Sequence, residues 1–160
     1  MSGTDSEKTK YRKKTRELLM RMIFQMSATG VFTDAEKEAF ISDTSLYSGD
    51  VREEEPLGCI FDDKTGESPD LAYFNWVFAC VRDHLDEIDA VLAGASDAWA
   101  VQRMGTTELA IMRVAAAEIL YIDEIDAGIS VNEAVLMAKK YGSEKSAPFV
   151  NGVLGAVARL

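Results

Sequence analysis

The segment from Glu108 to Asp123 constrains the fold more than any other part of the sequence. It reads ELAIMRVAAAEILYID, so few positions over about four helical turns are polar. A helix with so few polar positions has no face suited to water and must be covered by other elements. The sequence therefore predicts a central, buried helix in a molecule built from helices.

Two further helices are predicted before residue 47. From about Lys8 to Thr29, apolar residues recur at the spacing of one helix face, and Gly30 supplies a stop. Thr33 and Glu36 have the spacing of a capping box, which predicts that Thr33 caps a second helix running to about Leu46. The first part of the chain is therefore expected to be helical.

Four more helices account for the other periodic segments. They run from Ser68-Pro69-Asp70 to Gly94, around Asp97–Arg103, from Ser130 to Gly142, and along the apolar stripe Phe149–Val157. A serine before a proline marks the first of these starts, and the capping-box spacing of Ser130 and Glu133 marks the third. Because no segment reads as a strand, the fold class is all-α, a compact bundle of about seven helices.

Length and composition indicate the broad class of protein. With 160 residues, of which 48% are hydrophobic, residues 1–160 are expected to form a single domain. No run of eighteen apolar residues occurs and no signal-peptide stretch opens the chain, so we expect a soluble, cytoplasmic protein with no membrane partner. Cys59 and Cys80 lack CxxC spacing, which indicates neither a disulfide framework nor a zinc site.

Charge is unevenly distributed along the chain. The net charge is −10, but residues 1–24 hold seven basic and three acidic residues, a net +4, and the rest of the chain holds −14. This asymmetry is typical of a basic N-terminal arm, residues 8–21, on an acidic body. Residues 48–68 are rich in acids, glycine and proline and are interpreted as an acidic loop. The alternative for the arm is a solvated helix start whose lysines occur there by chance.

Catalytic machinery and metal sites are not evident in the sequence. His84 is the one histidine, in a mid-helix position, and no serine or cysteine lies in a recognisable nucleophile motif. Glycine-rich phosphate loops are absent, and the acidic clusters lack the spacing of an EF-hand loop or of a di-iron bundle. We therefore expect no catalytic residue, no metal ligand and no cofactor.

Two stretches resemble the NusB family. The first is Lys13-Lys14-Thr15-Arg16-Glu17 followed by Leu18–Met26, and the second comprises Glu108–Ala115, Glu118–Tyr121, Val131–Val135, Ala138–Gly142 and Lys145–Leu154. The order, spacing and residue identities of the second stretch are specific to that family. The resemblance covers about two-thirds of the chain and weakens between Phe40 and Val101.

The resemblance implies a helical bundle of two small subdomains without enzyme activity. It implies binding to the single-stranded boxA element of ribosomal RNA transcripts, together with the small-subunit ribosomal protein NusE, in a transcription antitermination complex. The family's basic start falls on Arg12, Lys13, Lys14 and Arg16, which a physical reading also assigns to phosphate contacts on a flexible arm.

Further site residues follow from the same resemblance. The family's RNA-contacting loop falls on residues 143–149, where Lys145 meets a phosphate and Phe149 presents its ring to an unstacked base. Phe149 also belongs to the apolar stripe of the last helix, so a core position is the alternative. The NusE surface falls on Phe24 and Glu108. Pro148 replaces a lysine common in the family, and it requires the last helix to bend or begin nearby.

Two rival functions are also compatible with these residues. One is a protein-interaction module that keeps the NusB fold without reading RNA, which the negative charge and Pro148 permit. The other is a relative of the NusB-like domain of ribosomal RNA cytosine methyltransferases, although the chain has no room for a cofactor-binding α/β domain. NusB-like proteins include monomers and dimers, so a homodimer is also left open.

Overall fold

The fold is seen in a computed structural model that describes residues 5–43, 46, 56–61, 70–96 and 103–160, with side chains from residue 10 onward. Every regular element in these ranges is a helix. The α-helices are α1 (Asp5–Thr29), α2 (Asp34–Ile41), α3 (Leu71–Asp83), α4 (Leu85–Ala95), α5 (Thr106–Tyr121), α6 (Ala127–Tyr141) and α7 (Ser146–Ala158). The chain divides into two compact units, Met1–Trp76 and Val77–Leu160. The all-α fold class is confirmed.

In the first unit, α1 packs against α2 and against a short 3-10 helix, Leu57–Phe61. The apolar stripe of α1 is buried, and the ring of Phe61 meets that of Phe74 edge-on at 5.1 Å. The Thr33 hydroxyl accepts a hydrogen bond from the Glu36 N–H at 3.2 Å, which confirms the cap of α2. That helix ends at Ile41, earlier than expected.

In the second unit, α5 is the central helix. Every residue from Leu109 to Glu118 is buried, and α4, α6 and α7 all pack against this helix. The prediction from its apolar sequence is confirmed. Two polar side chains are buried with it, Arg113 and Glu118, and each meets a partner on a neighbouring helix.

The long helix predicted to end at Gly94 is instead two helices, α3 and α4. They meet at His84, whose backbone angles (φ −124°, ψ 25°) lie outside the helical region. Hydrogen bonds continue on both sides of the break, from the His84 N–H to the Cys80 carbonyl at 3.1 Å and from the Ile88 N–H to the His84 carbonyl at 2.8 Å. The prediction was wrong because no glycine or proline marks the break.

The predicted start of α6 at Ser130 was also wrong. The helix begins at Ala127, and the Asp126 carboxylate caps it by accepting a hydrogen bond from the Gly128 N–H at 2.7 Å. Ser130 lies buried inside the helix and donates to Glu118 Oε2 at 2.8 Å. Aspartate caps a helix as well as serine does, and the buried carboxylate of Glu118 needs a donor. Gly142 ends the helix, as expected.

Some sequence-based expectations concern segments that lie wholly or partly outside the described ranges. Residues 97–102 of the expected short helix lie outside them, and of the acidic loop 48–68 the structure describes residues 56–61. The basic segment 8–21 lies inside α1, which corrects the expectation of a flexible arm. No helix in the described part of the chain is both long and apolar enough to cross a membrane.

Candidate RNA and partner surfaces

Arg12, the first basic residue of the expected RNA surface, is held by a carboxylate from the start of α3. Its Nε donates to Asp70 Oδ2 at 3.0 Å, and its Nη2 donates to Asp70 Oδ1 at 3.3 Å. The Thr15 hydroxyl donates to Asp70 Oδ2 at 2.6 Å. Because one carboxylate accepts all three bonds, the beginning of α3 is tied to two successive turns of α1.

An aromatic ring supports the same arginine. The Arg12 guanidinium carbon lies 3.5 Å from the centre of the Tyr73 ring, a cation–π contact, and that of Arg16 lies 6.0 Å from it. Arg16 is buried, so this residue has a structural role in the absence of RNA. Asp70 and Tyr73 could not be recognised as part of the site from the sequence, because they lie more than fifty residues from Arg12 along the chain.

The two lysines between these arginines are placed differently. Lys13 is exposed and Lys14 is half-buried on α1. Since neighbouring helical residues point about 100° apart, Arg12 and Arg16 face the protein while Lys13 faces solvent. Among Arg12, Lys13, Lys14 and Arg16, Lys13 is therefore the residue best placed to meet a phosphate.

Phe24, the expected partner-binding residue of α1, has an exposed ring, 40% accessible to solvent. It lies between buried Ile23 and Met26 but off their face of the helix, and Val31, just after α1, is a second exposed apolar side chain. Exposed aromatic rings are enriched at protein interfaces. The position of Phe24 therefore suits a contact with another protein.

Glu108, the other expected partner-binding residue, lies in the first turn of α5 and is half-buried. Its Oε1 accepts a hydrogen bond from the hydroxyl of Ser146, at the start of α7. The same hydroxyl accepts from the Ser143 N–H at 2.9 Å. Glu108 thus connects α5 to the turn before α7, a role that the sequence did not indicate for Ser146.

Lys145 lies in that turn, and Phe149 lies in the first turn of α7. Lys145 is exposed, whereas Phe149 is half-buried. Its position therefore corresponds neither to a fully buried core residue nor to a fully exposed surface residue. Pro148 lies in the first turn of a helix that begins at Ser146, as its ring requires. Pro148 also lines an open cleft of about 630 Å³ between α6 and α7, together with Lys139 and Asn151.

Several titratable side chains lie close together around His84. The His84 ring stacks on Tyr121 at 4.1 Å between centres, and its Nδ1 lies 3.6 Å from Glu87 Oε2. Burial, and then the charge of Asp83, raise the pKa of the Cys80 thiol, so it is protonated at neutral pH. Among the residues that the structure describes, no three acidic, histidine or cysteine side chains are grouped to hold a metal ion.

Tyr121 gives a testable pH dependence. Burial, and then the carboxylate of Glu87, raise its pKa to about 12, and within the described ranges its buried hydroxyl has no hydrogen-bond partner. An unfolded tyrosine titrates near pH ~10, so the unfolded state loses this proton first. The stability linked to the group is fully present below about pH 10 and is lost as pH rises toward about 12.

We therefore expect Tyr121→Phe to leave stability at pH 7 unchanged or raised by up to about 1 kcal/mol, and to reduce its loss at high pH. Urea unfolding at pH 7, 10 and 11 measures both effects, with Tyr11→Phe as the control. The same loss of stability between pH 10 and 11 in the wild type and in Tyr121→Phe would contradict this account.

Comparison with known proteins identifies the family. The sequence model of the NusB family matches residues 13–159. Transcription antitermination protein NusB of Lachnoclostridium phytofermentans is 37% identical over 147 residues, which cover 91% of this chain and 97% of that protein. The protein of the same name from Clostridium botulinum strain Loch Maree is 33% identical over 144 residues, covering 90% of this chain and 96% of its own length.

Solved structures share the fold. T. maritima NusB aligns with a TM-score of 0.68 at 20% identity, over 99% of this chain and 93% of that one. The NusB structure determined with NusE and double-stranded RNA aligns with a TM-score of 0.70 at 20% identity, over 94% of this chain and 97% of that one. With a family match over nearly the whole chain and relatives above 30% identity, the chain belongs to the NusB family of transcription antitermination proteins.

Proposed function

We propose that this chain is a transcription antitermination factor that binds boxA-type RNA together with the ribosomal protein NusE, and that it acts by binding and not by catalysis. Its relatives at 33–37% identity carry the antitermination name, and a protein of the same fold forms a complex with NusE and RNA. The observation on this chain that carries the proposal is the basic segment of α1, which presents Lys13 to solvent on a chain of net charge −10.

The RNA contacts are divided among the basic residues according to their exposure. Lys13 and Lys14 make direct phosphate contacts. Arg12 contributes a further phosphate contact through the exposed part of its guanidinium. Arg16 supports the helix from its buried position. Lys145 supplies a phosphate contact at the start of α7, and the half-buried ring of Phe149 offers one face to an unstacked base.

The partner contacts of the proposal are Phe24 in the first unit and Glu108 in the second. The exposed ring of Phe24 supplies apolar area, and the Glu108 carboxylate supplies negative charge for a basic ribosomal protein. The acidic remainder of the chain attracts such a partner, whereas the basic segment attracts RNA. A factor that acts on a nascent transcript must share its compartment, so the proposal includes a cytoplasmic location.

A salt titration of RNA binding tests the proposal. In Lys13→Ala/Lys14→Ala, loss of two phosphate contacts should reduce the slope of log affinity against log salt by about 1.4, and weaken binding at low salt by about tenfold or more. Arg159→Ala removes one exposed positive charge at the C-terminal end of α7 and serves as the control.

The titration also separates the rival function. An unchanged affinity and slope in the double lysine variant would overturn the role of the basic segment. Tight binding to the ribosomal protein, with no RNA retained by the wild type at moderate salt, would instead identify a protein-interaction module.

A further inference from the structure

We infer that Asp70 sets the RNA affinity of the basic segment, because its carboxylate occupies the place on Arg12 that an RNA phosphate would take. The inference rests on the proposed function and deepens it. A carboxylate and a phosphate both present two oxygens that a guanidinium binds side by side. Arg12 already makes such a two-bond contact, through Nε and Nη2, with the two oxygens of Asp70.

Asp70 is fixed in place by groups other than Arg12. The Thr15 hydroxyl donates to its Oδ2 at 2.6 Å, and its backbone carbonyl accepts the first hydrogen bond of α3, from the Phe74 N–H at 3.1 Å. Its side chain is 11% exposed. The carboxylate therefore stays where it is when Arg12 turns toward another acceptor.

Arg12 is accessible to RNA even though it is paired. Its side chain is 36% exposed, and its guanidinium carbon lies 3.5 Å from the centre of the Tyr73 ring. A guanidinium carries five N–H donors, and the contact with Asp70 uses one at Nε and one at Nη2. An incoming phosphate must either displace the carboxylate or bind the outer edge beside a fixed negative charge.

Both routes lower the affinity for RNA. Displacement leaves a poorly solvated carboxylate without its positive partner, and binding at the outer edge places two negative charges within a few ångströms of each other. Asp70 is therefore a positioning residue that keeps the Arg12 guanidinium over Tyr73 and limits its contribution to phosphate binding. The segment then binds RNA mainly through the neighbouring lysines.

The test compares Asp70→Asn with the wild type by salt titration of binding to a boxA-type RNA. Asparagine keeps the size of the side chain and can still accept from Thr15, but it no longer carries the charge that holds Arg12. RNA affinity is expected to rise by about three- to tenfold, and the salt slope to steepen by about 0.7, the value for one added phosphate contact. Glu36→Gln removes one exposed negative charge in the same unit and should change affinity less than twofold.

A second pair of variants separates the specific contact from the change in net charge. Arg12→Ala should weaken binding several times more in the Asp70→Asn background than in the wild type, since Arg12 is released only there. An equal effect in both backgrounds, or an Asp70→Asn slope that matches the wild type, would overturn the inference. If Asp70→Asn does not fold, Thr15→Val removes one of the three bonds to the carboxylate and should raise affinity by a smaller factor.

Retention on heparin, a polyanion without RNA bases, keeps this test independent of the proposed function. Absence of RNA binding by the wild type counts against the proposed function. Later elution of Asp70→Asn than of either the wild type or Glu36→Gln still supports the role of Asp70. Identical elution of the three proteins contradicts it.

Discussion

Replacing Asp89 with alanine is expected to lower the free energy of unfolding by about 3–5 kcal/mol. Asp89 on α4 accepts two hydrogen bonds from Arg113 on the central helix α5, from Nε at 2.9 Å and from Nη2 at 2.8 Å. The two side chains are 19% and 9% exposed. The substitution leaves the buried guanidinium without the carboxylate that accepts two of its hydrogen bonds, and the main cost is the loss of this negative partner in a poorly solvated place.

Urea unfolding followed by circular dichroism measures the effect. Asp123→Ala removes an exposed carboxylate just after α5 and should change stability by less than about 0.5 kcal/mol. Asp89→Leu/Arg113→Met replaces the pair with apolar side chains and should recover much of the loss, because no buried charge remains. A loss below about 1 kcal/mol in Asp89→Ala would contradict the view that this pair connects α4 to α5.

Local patterns in the sequence were sufficient to predict most of the helices. The apolar segment Leu109–Glu118 predicted its own burial, and the spacing of Thr33 and Glu36 predicted the start of α2. In both cases the cause lies within a few turns of chain. A helix that is apolar on all sides must be covered, and a hydroxyl three residues before an N–H can cap it.

The errors arise where a distant residue decides the local structure. Ser130 was expected to cap α6, but it bonds to Glu118, twelve residues earlier in the chain, and Asp126 caps the helix instead. The break at His84 has no local signal, and its ring stacks on Tyr121 of α5. Side chains that meet across a folded unit are not visible in a local pattern.

In the candidate site, too, features set by nearby residues were predicted and contacts with distant residues were not. Charge and periodicity are local, so the sequence indicated the basic segment and placed Glu108 at the start of a helix, although the basic segment lies in α1 and is not a flexible arm. It did not give their partners, because Arg12 meets Asp70 across 58 positions and Glu108 meets Ser146 across 38. Arg12 faces Asp70 on the protein, whereas Lys13, one position later, is exposed to solvent. The choice among neighbouring basic residues therefore depends on tertiary structure.

Replacing Gly142 with alanine is expected to lower the free energy of unfolding by about 1–3 kcal/mol. Gly142 ends α6 with φ −100° and ψ −165°, angles that any residue adopts, so the cost comes from space and not from backbone strain. An added Cβ would lie 2.5 Å from the Ser146 Cβ and 2.8 Å from the Ala138 carbonyl oxygen. The turn before α7 must shift to accommodate it, and the bond between Ser146 and Glu108 weakens.

Gly94→Ala is the matched control for Gly142→Ala. Gly94 lies in α4, where an added Cβ has no neighbour within 4 Å, so the same substitution should stabilise the protein by about 0.5–1 kcal/mol. Urea unfolding compares the two variants, and binding to a boxA-type RNA shows whether the shift reaches Lys145, three residues after Gly142. Stability changes of the same sign and size in both variants would contradict the steric account, because the two positions differ in the space that surrounds the new methyl group.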